Sequence, residues 1–230
     1  MIITKTKDID EITQSLKGLK SVYLFGCNAC AEQCKTGGTK ELEEMTKALS
    51  DKGFDVTGAS LIDETCYRQP VRKEFRTKKE IGESDAVLVL ACGAGVKSVM
   101  ESNPETQPVI PALDSIYLAK VERVGQFFEG CSLCGRCVLA NTGGICPHTD
   151  CPKGLLNGPC GGVVDGQCEV DVENSCAWVK IYDKLKIQNR LHLMEEIAAP
   201  KDHSVGGHPR KTQIERPGKK ASASESVKKK

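Results

Sequence analysis

The sequence predicts an α/β fold: a small three-layer domain built on a parallel sheet, followed by a cysteine-rich, loop-dominated module and a closing helix. Over residues 1–120, short apolar runs alternate with helical patterns, which is typical of parallel strands covered by helices. Residues 121–200 instead concentrate cysteine, glycine and proline, and apolar side chains return at near-helical spacing only over residues 177–197. Residues 201–230 are polar and basic, so we expect a disordered tail.

Four strands are expected in the first domain. Residues 22–25 form a short apolar run, and residues 54–62 alternate between apolar and polar side chains as a half-buried strand does. Residues 86–90 are wholly apolar, which predicts a central strand buried on both faces. Prolines within residues 108–113 favour a strand at the edge of the sheet.

Helices are expected between these strands. Leu42, Met45 and Leu49 recur at helical spacing over residues 41–50, and Gly53 marks the stop. Shorter helices are expected over residues 77–84 and 95–101. The alternation of strand and helix implies that the strands share one direction.

Five cysteines of the first domain are candidate metal ligands. Cys27 follows the first predicted strand, Cys66 follows the second by a few residues, and Cys92 follows the third. Because the carboxyl ends of parallel strands meet at one edge, these three should lie on one rim. Cys30 and Cys34 are four residues apart and would share one side of a helix beginning near Cys30. The spacing does not decide which four would bind a metal, or whether Cys66 and Cys92 are instead ordinary small core residues.

The other eight cysteines form the second group of candidate ligands. They are Cys131, Cys134, Cys137, Cys146, Cys151, Cys160, Cys168 and Cys176. The segment that carries them has too little apolar surface to fold alone, so a bound metal should supply much of its stability. Its first three cysteines follow the C-x2-C-x2-C spacing of ferredoxins, and eight thiolates divide into two [4Fe–4S] clusters. The spacing does not say which cysteine joins which cluster.

Composition excludes several other classes of protein. The amino-terminal segment has no apolar core of signal-peptide length, and no apolar run approaches a membrane span. The thirteen cysteines are an odd number, which suits a secreted disulfide framework poorly. We therefore expect a cytoplasmic protein with reduced thiolates. The net charge of +1 gives no overall attraction to nucleic acid, and the basic tail lacks stacking aromatic residues.

Three sequence blocks resemble a known family. They are GCNACAEQC after the first strand, then CSLCGRC and CPKGLLNGPCGG in the module. Together they resemble the MetV-type cysteine-rich subunit of bacterial methylenetetrahydrofolate reductases, over roughly residues 1–197. The resemblance implies an iron–sulfur subunit, which could also hold zinc in its amino-terminal domain. It also implies a partner subunit, a flavin-bearing catalytic barrel.

The resemblance further implies a role in one-carbon metabolism of the acetogenic kind. The partner reduces 5,10-methylenetetrahydrofolate to 5-methyltetrahydrofolate, and this chain passes electrons to or from its FMN or FAD. Further electron-transfer subunits or ferredoxin are implied as additional partners. The chain lacks eight strand–helix units, so the flavin and the folate should lie on the partner. No catalytic residue is expected in this chain.

Two other functions fit the cysteine spacing. Closed four-cysteine zinc sites have similar spacings, so the chain could be a zinc-thiolate scaffold or docking subunit. It could also be a methyl-transfer accessory protein in which a zinc-bound thiolate activates a methyl acceptor. Metal content separates both from an iron–sulfur protein.

Overall fold

The computed structural model describes residues 1–104 and 107–214 and contains two sheets. The strands are β1 (Ile2–Thr6), β2 (Ser21–Cys27), β3 (Asp55–Ile62), β4 (Ala86–Leu90), β5 (Val109–Pro111), β6 (Leu113–Arg123) and β7 (Gln126–Cys131). Four of them pair in parallel in the order β3-β2-β4-β5, and the other three form an antiparallel sheet in the order β1-β6-β7. The parallel sheet confirms the predicted α/β fold and all four of its predicted strands.

Eight α-helices accompany the sheets in the described part of the chain. They are α1 (Ile9–Ser15), α2 (Cys30–Gln33), α3 (Thr39–Asp51), α4 (Arg68–Thr77), α5 (Lys79–Glu83), α6 (Gly93–Ser102), α7 (Pro147–Asp150) and α8 (Ala177–Ile187). The helices α3, α5 and α6 match the predicted ones. No helix was expected at α4, because Val71 is its one buried side chain and most of its other residues are charged or polar.

The core lies around the two central strands, β2 and β4. Every residue of β4 is buried, as its apolar sequence predicts. Phe25 of β2 stacks in a tilted arrangement on Phe75, with ring centroids 5.6 Å apart. The Tyr23 hydroxyl is hydrogen-bonded to the Ser60 hydroxyl at 2.7 Å, which satisfies the phenol inside the core.

The strand order creates a topological switch point at the carboxyl edge of the sheet. The chain leaves β2 for β3 on one side and then returns to β4 on the other side of β2. In open parallel sheets, ligands bind in the crevice beyond the carboxyl ends of strands at such a point. The residues just after β2 and β4 therefore occupy the part of this fold best placed to hold a ligand.

The antiparallel sheet was not expected from the sequence. Strand β6 buries only Leu113 and Ala119, so its eleven residues lack the regular alternation that identifies a strand. Its pairing with β1 joins residues more than a hundred positions apart, and Met1 contacts Ala119 through two backbone hydrogen bonds. This sheet connects the first domain to the cysteine-rich module, because β7 ends at Cys131.

The cysteine-rich module has a small core of its own. Cys176, Trp178, Ile181 and Leu185 are buried together, three of them on one face of α8. Between β7 and α8, the described regular structure is limited to the single-turn helix α7 and two isolated bridges, so the module is loop-dominated as predicted.

The closing helix is shorter than predicted. Residues 177–197 were expected to be helical, but α8 ends at Ile187 and a 3-10 turn follows at Leu191–Met194. Asn189 adopts a left-handed φ of 55°. The Asn189 N–H bonds the Lys186 carbonyl and the Arg190 N–H bonds the Leu185 carbonyl. This pair of bonds is the Schellman motif that terminates helices.

Part of the predicted tail is described. Residues 203–206 form a 3-10 turn, in which the Asp202 carboxylate accepts a hydrogen bond from the Ser204 N–H at 2.9 Å. The prediction of disorder for residues 215–230 lies outside the described residues. Within residues 1–104 and 107–214, no helix is long and apolar enough to cross a membrane.

Candidate metal centres

Three cysteines meet at the switch point and are called the rim set: Cys27, Cys66 and Cys92. Strands β2 and β4 are neighbours, and Gly26 pairs with Leu90. Cys27 comes one residue after Gly26 and Cys92 two residues after Leu90, so both lie at the same edge of the sheet. The buried Thr65 hydroxyl donates to the Gly26 carbonyl at 2.9 Å, and this bond holds the adjacent Cys66 at the same edge. All three positions therefore lie near the carboxyl ends of β2 and β4.

The rim thiols are close enough to influence each other's charge. Burial is the main cause that raises the pKa of Cys66, and negative charge on Cys92 and Cys27 raises it further. Cys27 is buried, Cys92 half-buried and Cys66 exposed. Cys92 is also the residue that precedes the first turn of α6. A cation at this rim would relieve the repulsion among three thiolates, and the helix end would favour their negative charge.

Cys30 and Cys34 contact the edge of β1. The Ile2 N–H donates to Cys30 Sγ at 3.5 Å, and the Cys34 thiol donates to the Ile2 carbonyl at 3.7 Å. The two cysteines therefore form hydrogen bonds with the N–H and carbonyl groups of Ile2, on the side of β1 that is not paired with β6. Two of the five amino-terminal candidates thus contact β1, which spacing alone did not indicate.

Four cysteines of the module line one small cavity and are called the cavity set: Cys151, Cys160, Cys168 and Cys176. Two backbone hydrogen bonds bring the last two together, because the Cys176 N–H bonds the Gly166 carbonyl and the Cys168 N–H bonds the Asn174 carbonyl, each at 2.8 Å. The remaining wall is formed mainly by proline, valine and tryptophan side chains.

Charged groups and a helix end surround the cavity set. The Cys160 thiol donates to the Glu169 carboxylate at 3.3 Å, and Lys153 forms an ion pair with the same carboxylate. Cys176 precedes the first turn of α8, where the helix dipole stabilises negative charge. The Trp178 indole N–H donates to the Leu155 carbonyl at 3.0 Å, which fixes the ring as a wall of the cavity.

The other four module cysteines are called the loop set: Cys131, Cys134, Cys137 and Cys146. Cys131 ends β7, Cys146 immediately precedes α7, and α7 packs against β7. Contact between these two elements therefore brings the fourth cysteine near the C-x2-C-x2-C loop. The division of the eight cysteines into two sets of four depends on this contact and on the hydrogen bonds that close the loop between Gly166 and Cys176.

One backbone N–H of the loop that carries Cys131, Cys134 and Cys137 points at sulfur. Leu133 and Gly135 have left-handed φ angles of 55° and 82°. The Leu133 N–H donates to Cys131 Sγ at 3.3 Å. A hydrogen bond with the backbone of Arg136 is the main cause that lowers the pKa of Cys134, and the charge of Lys201 lowers it further. The lowered pKa favours the Cys134 thiolate, which is the form that binds metals.

The chemistry of the donors suits soft metals. All thirteen cysteines lie in the described residues, and each has a free thiol. In residues 1–104 and 107–214, no three His, Cys, Asp or Glu side chains are already arranged around a single-ion site. Free thiols, once deprotonated, are the ligands of iron–sulfur clusters and of structural zinc.

Comparison with known proteins relates the second half of the chain to one family. Residues 110–204 match the family model described as "Methylene-tetrahydrofolate reductase C terminal". This segment contains β6, β7, the loop set, the cavity set and α8. No curated protein and no solved structure matches the chain significantly. The segment is thus similar to a part of methylenetetrahydrofolate reductases, which agrees in this respect with the resemblance carried by CSLCGRC and CPKGLLNGPCGG.

Proposed function

We propose that this chain is the iron–sulfur electron-transfer subunit of a methylenetetrahydrofolate reductase complex. Its partner would be a flavin-bearing catalytic subunit that reduces 5,10-methylenetetrahydrofolate to 5-methyltetrahydrofolate. The observation that carries the proposal is the lining of one cavity by four free thiols. The match of residues 110–204 to the reductase family supplies the biochemical context.

Each set of four would hold one [4Fe–4S] cluster, bound by Cys thiolates. When bound, such a cluster supplies a one-electron redox centre beside a two-electron flavin. The chain's residues would bind it through thiolates and favour its negative charge through the start of α8 at Cys176. The Leu133 N–H, which points at Cys131 Sγ, would contribute to the reduction potential.

The loop set is the better placed of the two to exchange electrons with a partner. Cys131 and Cys137 are exposed, whereas Cys176 of the cavity set is buried. Beside Cys131 is an open groove lined by Leu133 and Ile116, which are about half exposed at 54% and 53%. An apolar surface next to a redox site fits a docking partner whose cofactor must come close.

A row of paired residues connects the loop set to the first domain. Ile2 lies opposite Leu118, and Leu118 lies opposite Cys131. Neighbouring strands are about 4.8 Å apart, so this row is about 10 Å long. It ends at the backbone groups that contact Cys30 and Cys34. We propose the rim set as three ligands of a third metal site, either iron–sulfur or zinc, for which Cys30 and Cys34 are the remaining candidate ligands.

The assay that tests the function is reduction of the partner's flavin by a low-potential one-electron donor, with and without this chain. We expect the chain to accelerate flavin reduction and to form a stable complex with the flavoprotein. The matched control is the chain carrying both Cys134→Ala and Cys168→Ala, which should not accelerate it. Equal rates with and without the chain would contradict the proposal, and so would reduction of methylenetetrahydrofolate by the chain alone.

A further inference from the structure

A second cavity of the module borders both of its cysteine sets, and its volume is about 260 Å³. One part of its wall is formed by Val138 and Pro147, which directly follow Cys137 and Cys146 of the loop set. Another part is Trp178, which also lines the cavity that contains the cavity set. We call this space the interset cavity. All thirteen cysteines are described, and none of them lines it.

Most of the wall of the interset cavity is apolar. The Trp178 indole is held by its hydrogen bond to the Leu155 carbonyl, and Leu156, Leu193 and Met194 extend the apolar wall. An aromatic face beside aliphatic and thioether side chains suits a planar ring, which can stack on the indole. Pockets for larger organic ligands measure about 300–1,000 Å³. The interset cavity is therefore suited to a fused two-ring system rather than to a dinucleotide.

The segment that closes one side of the interset cavity is fixed by a pair of hydrogen bonds. The Ala198 N–H donates to Asn157 Oδ1 at 2.7 Å, and Asn157 Nδ2 donates to the Ala198 carbonyl at 3.3 Å. Both residues line the cavity, and so does Glu196, two positions before Ala198. The amide of Asn157 thus anchors this segment in the way that a neighbouring strand would. A wall that is held in place without a ligand loses little entropy when a ligand binds.

Two polar side chains of the lining have no partner in the part of the chain that the structure describes. They are Asn141 and Glu196, neither of which forms a hydrogen bond or an ion pair there through its side chain. The Thr142 hydroxyl, in contrast, donates to the Val138 carbonyl at 3.2 Å. A carboxylate only accepts hydrogen bonds, whereas an amide both donates and accepts them. A ligand that satisfies both side chains presents N–H donors to the carboxylate and a carbonyl to the amide.

We propose that the interset cavity binds a fused heteroaromatic ring with a 2-amino-4-oxopyrimidine edge, as the pterin of a folate has. The amino group and the adjacent ring N–H donate to the Glu196 carboxylate, and such charge-assisted pairs of bonds are strong and geometrically specific. The ring carbonyl accepts from the Asn141 amide. A flavin fits less well, because its edge has a single N–H between two carbonyls, and one of these would face the carboxylate. Guanine presents the same edge as a pterin.

Such a site goes beyond the proposed function, which places the folate on the partner alone. It gives this chain a folate contact of its own, beside both the loop set and the cavity set. Recognition of the ring depends on Trp178, Asn141 and Glu196 and on no thiol, so binding of the ring and binding of metal can be measured separately.

The test is calorimetric titration of the full-length chain, purified without oxygen, with 6-methylpterin, 6-methyllumazine and guanosine. Lumazine has a carbonyl where pterin has the amino group, so it should bind about tenfold more weakly, because a hydrogen bond to a charged group is lost. Binding of 6-methylpterin but not guanosine supports a folate site. Binding of guanosine but not 6-methylpterin supports the edge and assigns its source to a guanine nucleotide. Binding of neither, or equal binding of 6-methylpterin and 6-methyllumazine, would overturn the proposal.

A pair of neighbouring variants tests the carboxylate. Glu196→Gln should weaken the binding of 6-methylpterin about tenfold and abolish the discrimination against 6-methyllumazine, because the glutamine amide can donate to the lumazine carbonyl. Glu195→Gln is the matched control, because Glu195 is also exposed but does not line the cavity. Unchanged affinities in Glu196→Gln would overturn the role of Glu196. Iron is measured on the same samples: a chain that holds iron but binds no ring refutes the site alone, and a chain that binds the ring without iron refutes the proposed function alone.

Discussion

Cys134→Ala should remove about four iron atoms per chain, and Cys168→Ala should remove about four others, because each [4Fe–4S] cluster needs its four thiolates. The two residues belong to different sets, so the double variant should lose about eight. Cys151 and Cys168 line the same cavity, so the variant lacking both should lose only about four. Iron and acid-labile sulfide measured per chain after anaerobic purification check all three values.

The iron content of these variants shows which cysteines bind the same cluster, as well as whether the cofactor is an iron–sulfur cluster. The control is Cys30→Ala. In the wild type, Cys30 accepts a hydrogen bond from the Ile2 N–H and belongs to neither module set, so this variant should keep the full iron content of the module. Metal that remains in the Cys134 and Cys168 double variant is assigned to the rim set. If the within-cavity double variant lost about eight iron atoms, the proposed division into loop set and cavity set would be wrong.

Trp178→Ala should destabilise the module more than any other single change outside the cysteines. The side chain is 6% exposed, packs in the module core and forms part of the cavity wall. Removing such a buried aromatic side chain costs about 3–5 kcal/mol of the free energy of unfolding. Because the same ring lines the cavity set, we also expect the variant to lose cluster absorbance at a lower temperature than the wild type.

Two further substitutions identify the cause of that effect. Trp178→Phe keeps most of the packing but loses the indole hydrogen bond to Leu155, which costs about 1 kcal/mol for the bond itself. Tyr182→Ala alters the outer face of the same helix, at a residue 44% exposed, and should change the free energy of unfolding by less than about 1 kcal/mol. Similar melting of Trp178→Ala and Tyr182→Ala would show that the ring does not support the cavity.

The first domain could be predicted because its signals are local. The apolar run of β4 and the spacing of Leu42, Met45 and Leu49 identify a buried strand and an amphipathic helix without knowledge of distant contacts. The position of Cys27 and Cys92 at one edge follows from the parallel order of the strands. Strands β1 and β6 were missed because their pairing is non-local and β6 buries few side chains.

The grouping of the cysteines could not be predicted for the same reason. It depends on the packing of α7 against β7 and on the hydrogen bonds that Cys168 and Cys176 make across their loop. The β1 contacts of Cys30 and Cys34 require a strand that was not expected.

The central claim is that the module binds two [4Fe–4S] clusters, and the most direct test is the iron, sulfide and zinc content of the chain purified without oxygen. The account predicts a brown protein with about eight iron atoms and eight sulfides in the module, plus whatever the rim set holds. A colourless protein with about one zinc ion for each four-cysteine set and no sulfide would contradict it, since closed zinc sites take four thiolates without sulfide.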